Sequence, residues 1–403
     1  MMLTDVAYQR SCCLMVLTTA IIYSYSQPQQ VCAAIRQGYH AGKSIPRSFP
    51  HRSTFLYGLT SSYSSENPTL REGNEILAFR LRRDGSFVAV PLKGHPSGDG
   101  GNLEALTASP DGRFLFTECR NTDADGNYAP YFLQYRILSS GQLKLQGRYG
   151  ITDVPGATHL VFHPSGRYAY LSWPDQSSSQ TRPGAVVQFR VTDKGDPTFK
   201  PIASVPCGPM PTALALDDQG RVGGVLDSGT GFLWQYTLTP QGRLHPTIPP
   251  SIPVAKDVLA PMITEDGQFM YMASQQSRQR YRIYQLRRNA RGGFSLLMPW
   301  AVRVPEVIYS VTISNKHHAV YVSSGTRLLT FHISPQGTLQ LSPFSLNTMV
   351  GLNMAVDEAT GYLYVMGLQL RAYRIRENGA LAALGKVPAH ANFRINDLTI
   401  VHR

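Results

Sequence analysis

A chain of 403 residues with 42% hydrophobic, 10% aromatic and only 16% charged residues excludes long disorder and the charge-rich make-up of a coiled coil. Its 35 Gly and 28 Pro stand well above the usual ~12% for the pair and indicate many short elements joined by turns. The formal net charge of +12 favours anionic neighbours. No run of five or more basic residues supplies the clustered stripe of a nucleic-acid binder.

At the amino end, Arg10 precedes an uncharged run over residues 11–25, with small residues at Ser24 and Ser26. The run falls short of the ~20 residues a spanning helix needs. It reads as a secretory signal over residues 1–26, cleaved before Gln27, and so predicts an exported protein, periplasmic or extracellular. Residues 27–51 follow as an extended lead-in. The cysteines at 12, 13, 32, 119 and 207 form no CxxC pair, so neither a zinc site nor a thioredoxin-like motif is expected. Walker, dinucleotide, HExxH and nucleophile-elbow motifs are also missing, and the reading calls for no cofactor and no metal.

From residue 52 onward one pattern recurs seven times: an aromatic, one residue, an aliphatic, then a Gly-containing turn. The aromatics are Phe79, Tyr135, Phe189, Tyr236, Tyr284, Phe331 and Tyr373. Glycine stands six residues later in every copy but the fifth, where Gly292 and Gly293 come late. Alternation of period two marks a strand with one buried face, and Gly supplies the positive φ of a tight turn. A second hairpin precedes each of the last six, in segments such as LTASPDGRFLF (106–116) and LVFHPSGRYAY (160–170). Two hairpins per copy predict a four-stranded antiparallel sheet. Seven such sheets over residues 52–403 predict an all-β, seven-bladed β-propeller.

The first copy lacks the opening strand that the others possess. The segment FRINDLTIVHR at the carboxyl end has the right pattern, so residues 396–402 are predicted to form the innermost strand of the first blade. Such a clasp closes the ring and removes a free edge.

The blocks PDGRFLF, HPSGRYAY, QYRILSSGQL, HISPQGTL and YRIRENGAL resemble the lactonase family of seven-bladed propellers, to which 6-phosphogluconolactonase and the muconate-lactonizing enzymes belong. The resemblance covers nearly the whole chain after residue 52. It implies hydrolysis of a sugar or carboxylate lactone at the mouth of the central channel. Within PGATHLVFHPSGRYAYLSWPD (155–175), His159 matches the family histidine, while Thr158 stands at the family's arginine position.

Aligning the blocks gathers Glu104, His159, Thr212, Tyr309, Ser310, Asn353 and Asp397 at the start of the inner strands. His159 is expected as general base, oriented by Glu104 or Asp397. Thr212, Tyr309, Ser310 and Asn353 are expected to hold the ligand by hydrogen bonds. The expected partner is a small anionic or sugar-lactone ligand, bound by a monomer. A non-catalytic propeller that binds an anionic ligand or a protein is the alternative, and nucleic acid is not expected.

Overall fold

The structure, a computed structural model, describes residues 53–403 apart from 62–74, 93–101, 121–130, 151–158, 175–182, 193–197, 257, 277–279, 325, 348–350, 368–369 and 385–393. The signal and lead-in segments read from the sequence lie outside the described residues. Seven antiparallel sheets, each built on four strands ordered from the inside outward, form the blades of a β-propeller. No helix occurs among the described residues.

Blade 1 pairs the carboxyl-terminal strand Arg394–His402 with Thr54–Ser61, followed by Ile76–Leu81 and Phe87–Ala89. The inner strands of blades 2 to 7 are Asn102–Ala108, His159–Phe162, Pro211–Leu216, Val258–Ile263, Ile308–Ser314 and Gly351–Asp357. In blade 1 the register runs Thr54 opposite His402, Tyr57 opposite Thr399 and Leu59 opposite Asp397. The clasp predicted from the sequence is therefore present, and it begins two residues earlier than expected.

The recurring aromatic lies on the third strand of each blade, where its side chain enters the core between blades. Tyr135, Tyr236 and Phe331 are each 1% exposed. Its partner on the outer strand fixes the frame: Phe79 faces Ala89, Tyr135 faces Leu145, Tyr236 faces Pro246 and Phe331 faces Leu341. In blade 5 that frame belongs to Leu286, which faces Leu296, and not to Tyr284. Gly292 then falls six residues later, as in the other copies. The irregularity of the fifth copy was a two-residue misframing, caused by a tyrosine two places before a leucine.

Contacts between blades repeat as regularly as the blades do. A tyrosine on the second strand donates its hydroxyl to the carbonyl of the turn glycine in the next blade. The bonds are Tyr57 to Gly141 (2.9 Å), Tyr170 to Gly242 (2.8 Å), Tyr271 to Gly337 (2.8 Å) and Tyr321 to Gly379 (2.9 Å). Tyr364 to Gly85, at 3.5 Å, carries the series from blade 7 back to blade 1. Each buried hydroxyl so satisfied also meets a carbonyl that water does not reach.

Blade 4 has Gly224 at this position, and the junction with blade 5 is held instead by Gln235, whose Oε1 accepts the Phe294 N–H. Gln188 and Gln285 do the same for Leu244 and Leu339. Blade 2 has Phe116, which packs on Phe162 and Phe199 of blade 3 at ring-centroid distances of 5.3 and 5.4 Å. At the rim the outer strands of blades 4 and 5 carry Pro246, Pro249, Pro250 and Pro299, which have no N–H to offer a foreign strand.

Candidate functional site

An extra residue bulges each described inner strand near its start, except that of blade 3, whose described part opens at His159. A bulge places two residues opposite one and turns the chain locally. Frames can still be matched through the residue opposite the second-strand tyrosine position, such as Thr399, Val161, Thr312 and Ala355. Two residues toward the strand start from these lie Asp397, His159, Ser310 and Asn353, on one level of the ring. Ala105, Ala213 and Ala260 complete that level. Glu104, Thr212 and Tyr309 stand one residue earlier, within the bulges. The ring aligned from the sequence therefore splits into two levels, because the alignment took no account of the bulges.

The blades stand on edge around the axis, so inner-strand side chains alternate between the two neighbouring blades. His159, Thr212, Ser310 and Asn353 are buried, Asp397 is 0% exposed, and Tyr309 is half-buried. The side chain of Glu104 lies outside the described residues, as does Thr158.

Two of the polar groups on the shared level make the same contact. The Leu106 N–H of blade 2 donates to Asp397 Oδ2 of blade 1 at 2.6 Å. The Leu214 N–H of blade 4 donates to His159 Nδ1 of blade 3 at 3.4 Å. Because Nδ1 accepts, the neutral ring carries its proton on Nε2.

Asp397 Oδ1 accepts the Leu398 N–H at 2.8 Å. Burial raises its pKa well above the usual carboxylate range, and these backbone hydrogen bonds lower it only in part. Thr212 donates to the Leu226 carbonyl at 3.4 Å. The Ser310 hydroxyl is buried without a hydrogen-bond partner among the described residues.

At the opposite end of the inner strands, Ser109, Asp217, Thr264 and Asp357 open the turns to the second strands. Their side-chain oxygens accept turn N–H groups, as Ser109 does from Phe114 and Asp217 from Val222. His163 holds the same place in blade 3, bonded to Ser165 and to the Gly220 carbonyl of blade 4. These residues cap turns, and His163 also links blade 3 to blade 4.

No protein-family model matches the chain, and no curated protein matches its sequence. Solved structures do match in three dimensions. The Pseudomonas aeruginosa periplasmic gluconolactonase superposes with a TM-score of 0.63 at 18% identity, covering 87% of this chain and 99% of that one. A candidate 6-phosphogluconolactonase of Bacteroides fragilis gives 0.64 at 15%, covering 89% and 100%. A Lactobacillus plantarum protein gives 0.65 at 14%, covering 87% and 100%. The class is thereby fixed as a seven-bladed β-propeller. Within that class, the chain shares its fold with lactonase-type propellers over 87–89% of its length.

Proposed function

We propose that the protein binds a sugar or carboxylate lactone at the channel mouth, where the inner strands begin, and opens its ring with water. The reading is carried by polar side chains of blades 1, 3, 6 and 7 that share one level of the inner strands, two of them ionisable. The shared fold with a periplasmic gluconolactonase supports it.

Water adds to the lactone carbonyl carbon and loses a proton, and negative charge builds on the carbonyl oxygen. The ring C–O bond then breaks, and its oxygen takes up a proton to leave a hydroxy acid. His159, protonated on Nε2, suits the role of hydrogen-bond donor to the developing oxyanion better than that of base. In its ionised form Asp397 is the group to receive the proton from water, its affinity for that proton raised by burial, and the sequence offers Glu104, early in the inner strand of blade 2, as the other carboxylate. Thr212, Tyr309, Ser310 and Asn353 orient the ligand. The +12 net charge suits an anionic lactone and its acid product. Export fits both the uncharged run at 11–25 and the periplasmic setting of the Pseudomonas neighbour.

The alternative, binding without turnover, draws on one observation. Both carboxylate oxygens of Asp397 and Nδ1 of His159 already accept backbone N–H groups. Gluconolactone hydrolysis followed at constant pH separates the two readings. Turnover above the spontaneous rate, reduced about 100-fold or more in a folded His159→Gln variant, is expected of the enzyme. A wild-type rate equal to that of buffer, with a lactone-dependent rise in Tm, would select the binding reading.

A further inference from the structure

The second, third and fourth strands of blade 5 carry an unbalanced charge. Residues 269–304 contain seven arginines and neither Asp nor Glu, against a net charge of +12 for the whole chain. Two of these arginines, Arg282 and Arg303, are direct cross-strand partners, so their side chains leave the same face of the sheet. Like charges placed directly opposite destabilise a sheet. Among the described residues no carboxylate pairs with either. Glu306, the nearest acid in sequence, is committed to Arg327 at 2.5 Å and to Ser324 and Thr326.

The same face holds three further groups. Trp300 lies against Arg282, whose guanidinium carbon is 5.0 Å from its ring centroid. Tyr284 meets Trp300 at 5.4 Å with a 37° tilt. Ser274, opposite Arg282 on the second strand, is fully buried, and its hydroxyl has no hydrogen-bond partner among the described residues. The face looks toward blade 4, since Met270, four residues before Ser274, packs where a Cβ on Gly224 would sit. Trp300 remains 38% exposed, so the cluster is open to solvent.

A repelling guanidinium pair, one member steadied by an indole, beside an unsatisfied hydroxyl, is the donor set of an anion site. We propose that this face of blade 5 binds a small oxyanion, the carboxylate or phosphate of a sugar acid or sugar phosphate, bridged between Arg282 and Arg303. The site runs across the second, third and fourth strands of blade 5, with Ser274 paired to Val258 at the start of the inner strand, and does not depend on the lactone reading.

Titration calorimetry and tryptophan fluorescence with gluconate, glucose 6-phosphate, inorganic phosphate and glucose test the proposal on the full chain. Saturable, salt-weakened binding of the anions is expected, with none of glucose. Arg282→Gln and Arg303→Gln should each weaken it about tenfold or more, as loss of a charged hydrogen bond does. The tryptophan fluorescence response to inorganic phosphate should persist in His159→Gln, which separates this site from the channel. Preference for gluconate or glucose 6-phosphate over inorganic phosphate identifies a sugar-borne anion, and equal binding identifies the bare oxyanion. Arg303→Gln should melt no lower than the wild type without ligand, since a repulsion is removed. Absence of saturable anion binding by the wild type, or unchanged binding in the double arginine variant, would overturn the proposal.

Discussion

Asp397 sits in the closing strand with both oxygens on backbone N–H groups, and burial still raises its pKa well above the ordinary 3.8. The folded state therefore holds a proton that the unfolded chain releases. This contribution to stability is fully present below the unfolded value and is lost as pH rises through the folded one. The slope is at most about 1.4 kcal/mol per pH unit for one proton. Denaturant unfolding of wild type and Asp397→Asn should show the wild type losing ground steadily as pH rises from about 4. A difference that stays flat with pH would contradict the raised pKa. The identities of Asp397 and His159 could be picked out from the sequence. Their contacts could not, because each is fixed by an N–H from an inner strand of the neighbouring blade.

At the scale of the hairpin, turn glycine and second-strand tyrosine act together. Gly337 has φ +86°, and a Cβ there would fall 2.1 Å from the Phe269 ring of blade 5. Gly337→Ala combines backbone strain with overpacking and should cost about 2–4 kcal/mol. Gly166 has φ +70° but meets nothing nearer than 3.9 Å, so Gly166→Ala should cost only about 1 kcal/mol, from φ alone. Unfolding free energies of the two variants measure the difference, and equal losses would show that the approach of Phe269 does not matter. Tyr271→Phe leaves the Gly337 carbonyl without its donor and should cost about 1–2 kcal/mol in the same measurement. The glycines were visible as a period because backbone conformation restricts the residue type. The staples that replace tyrosine, such as Gln235 reaching Phe294, were hidden, since glutamine also serves on any exposed strand. Blade 5 was misframed for a related reason: Tyr284 and Leu286 satisfy the aromatic–aliphatic spacing while the structural frame begins at Leu286.

For the whole ring, everything converges on the strand Arg394–His402. It pairs with Thr54–Ser61 over nearly its full length, and Arg403 reaches the Ile137 carbonyl of blade 2. His402 Nε2 also stands 3.5 Å from Asp357 of blade 7, so the strand touches both of its neighbours. Its hydrophobic residues Leu398 and Val401 are each 2% exposed and belong to the clusters joining blade 1 to blades 7 and 2. Removing residues 394–403 would strip these contacts and leave Tyr57 and Leu59 beside an open edge. In a repeat architecture each unit is stabilised by its neighbours, so the loss should not stay within blade 1. The truncated chain should melt well below the full-length protein, and the loss should be cooperative. A synthetic peptide of residues 394–403, binding only the folded state, should restore stability by an amount that grows with the logarithm of its concentration. Scanning calorimetry at several peptide concentrations checks both outcomes. A truncated protein that melts with the wild type, unmoved by peptide, would show that the ring holds without its clasp.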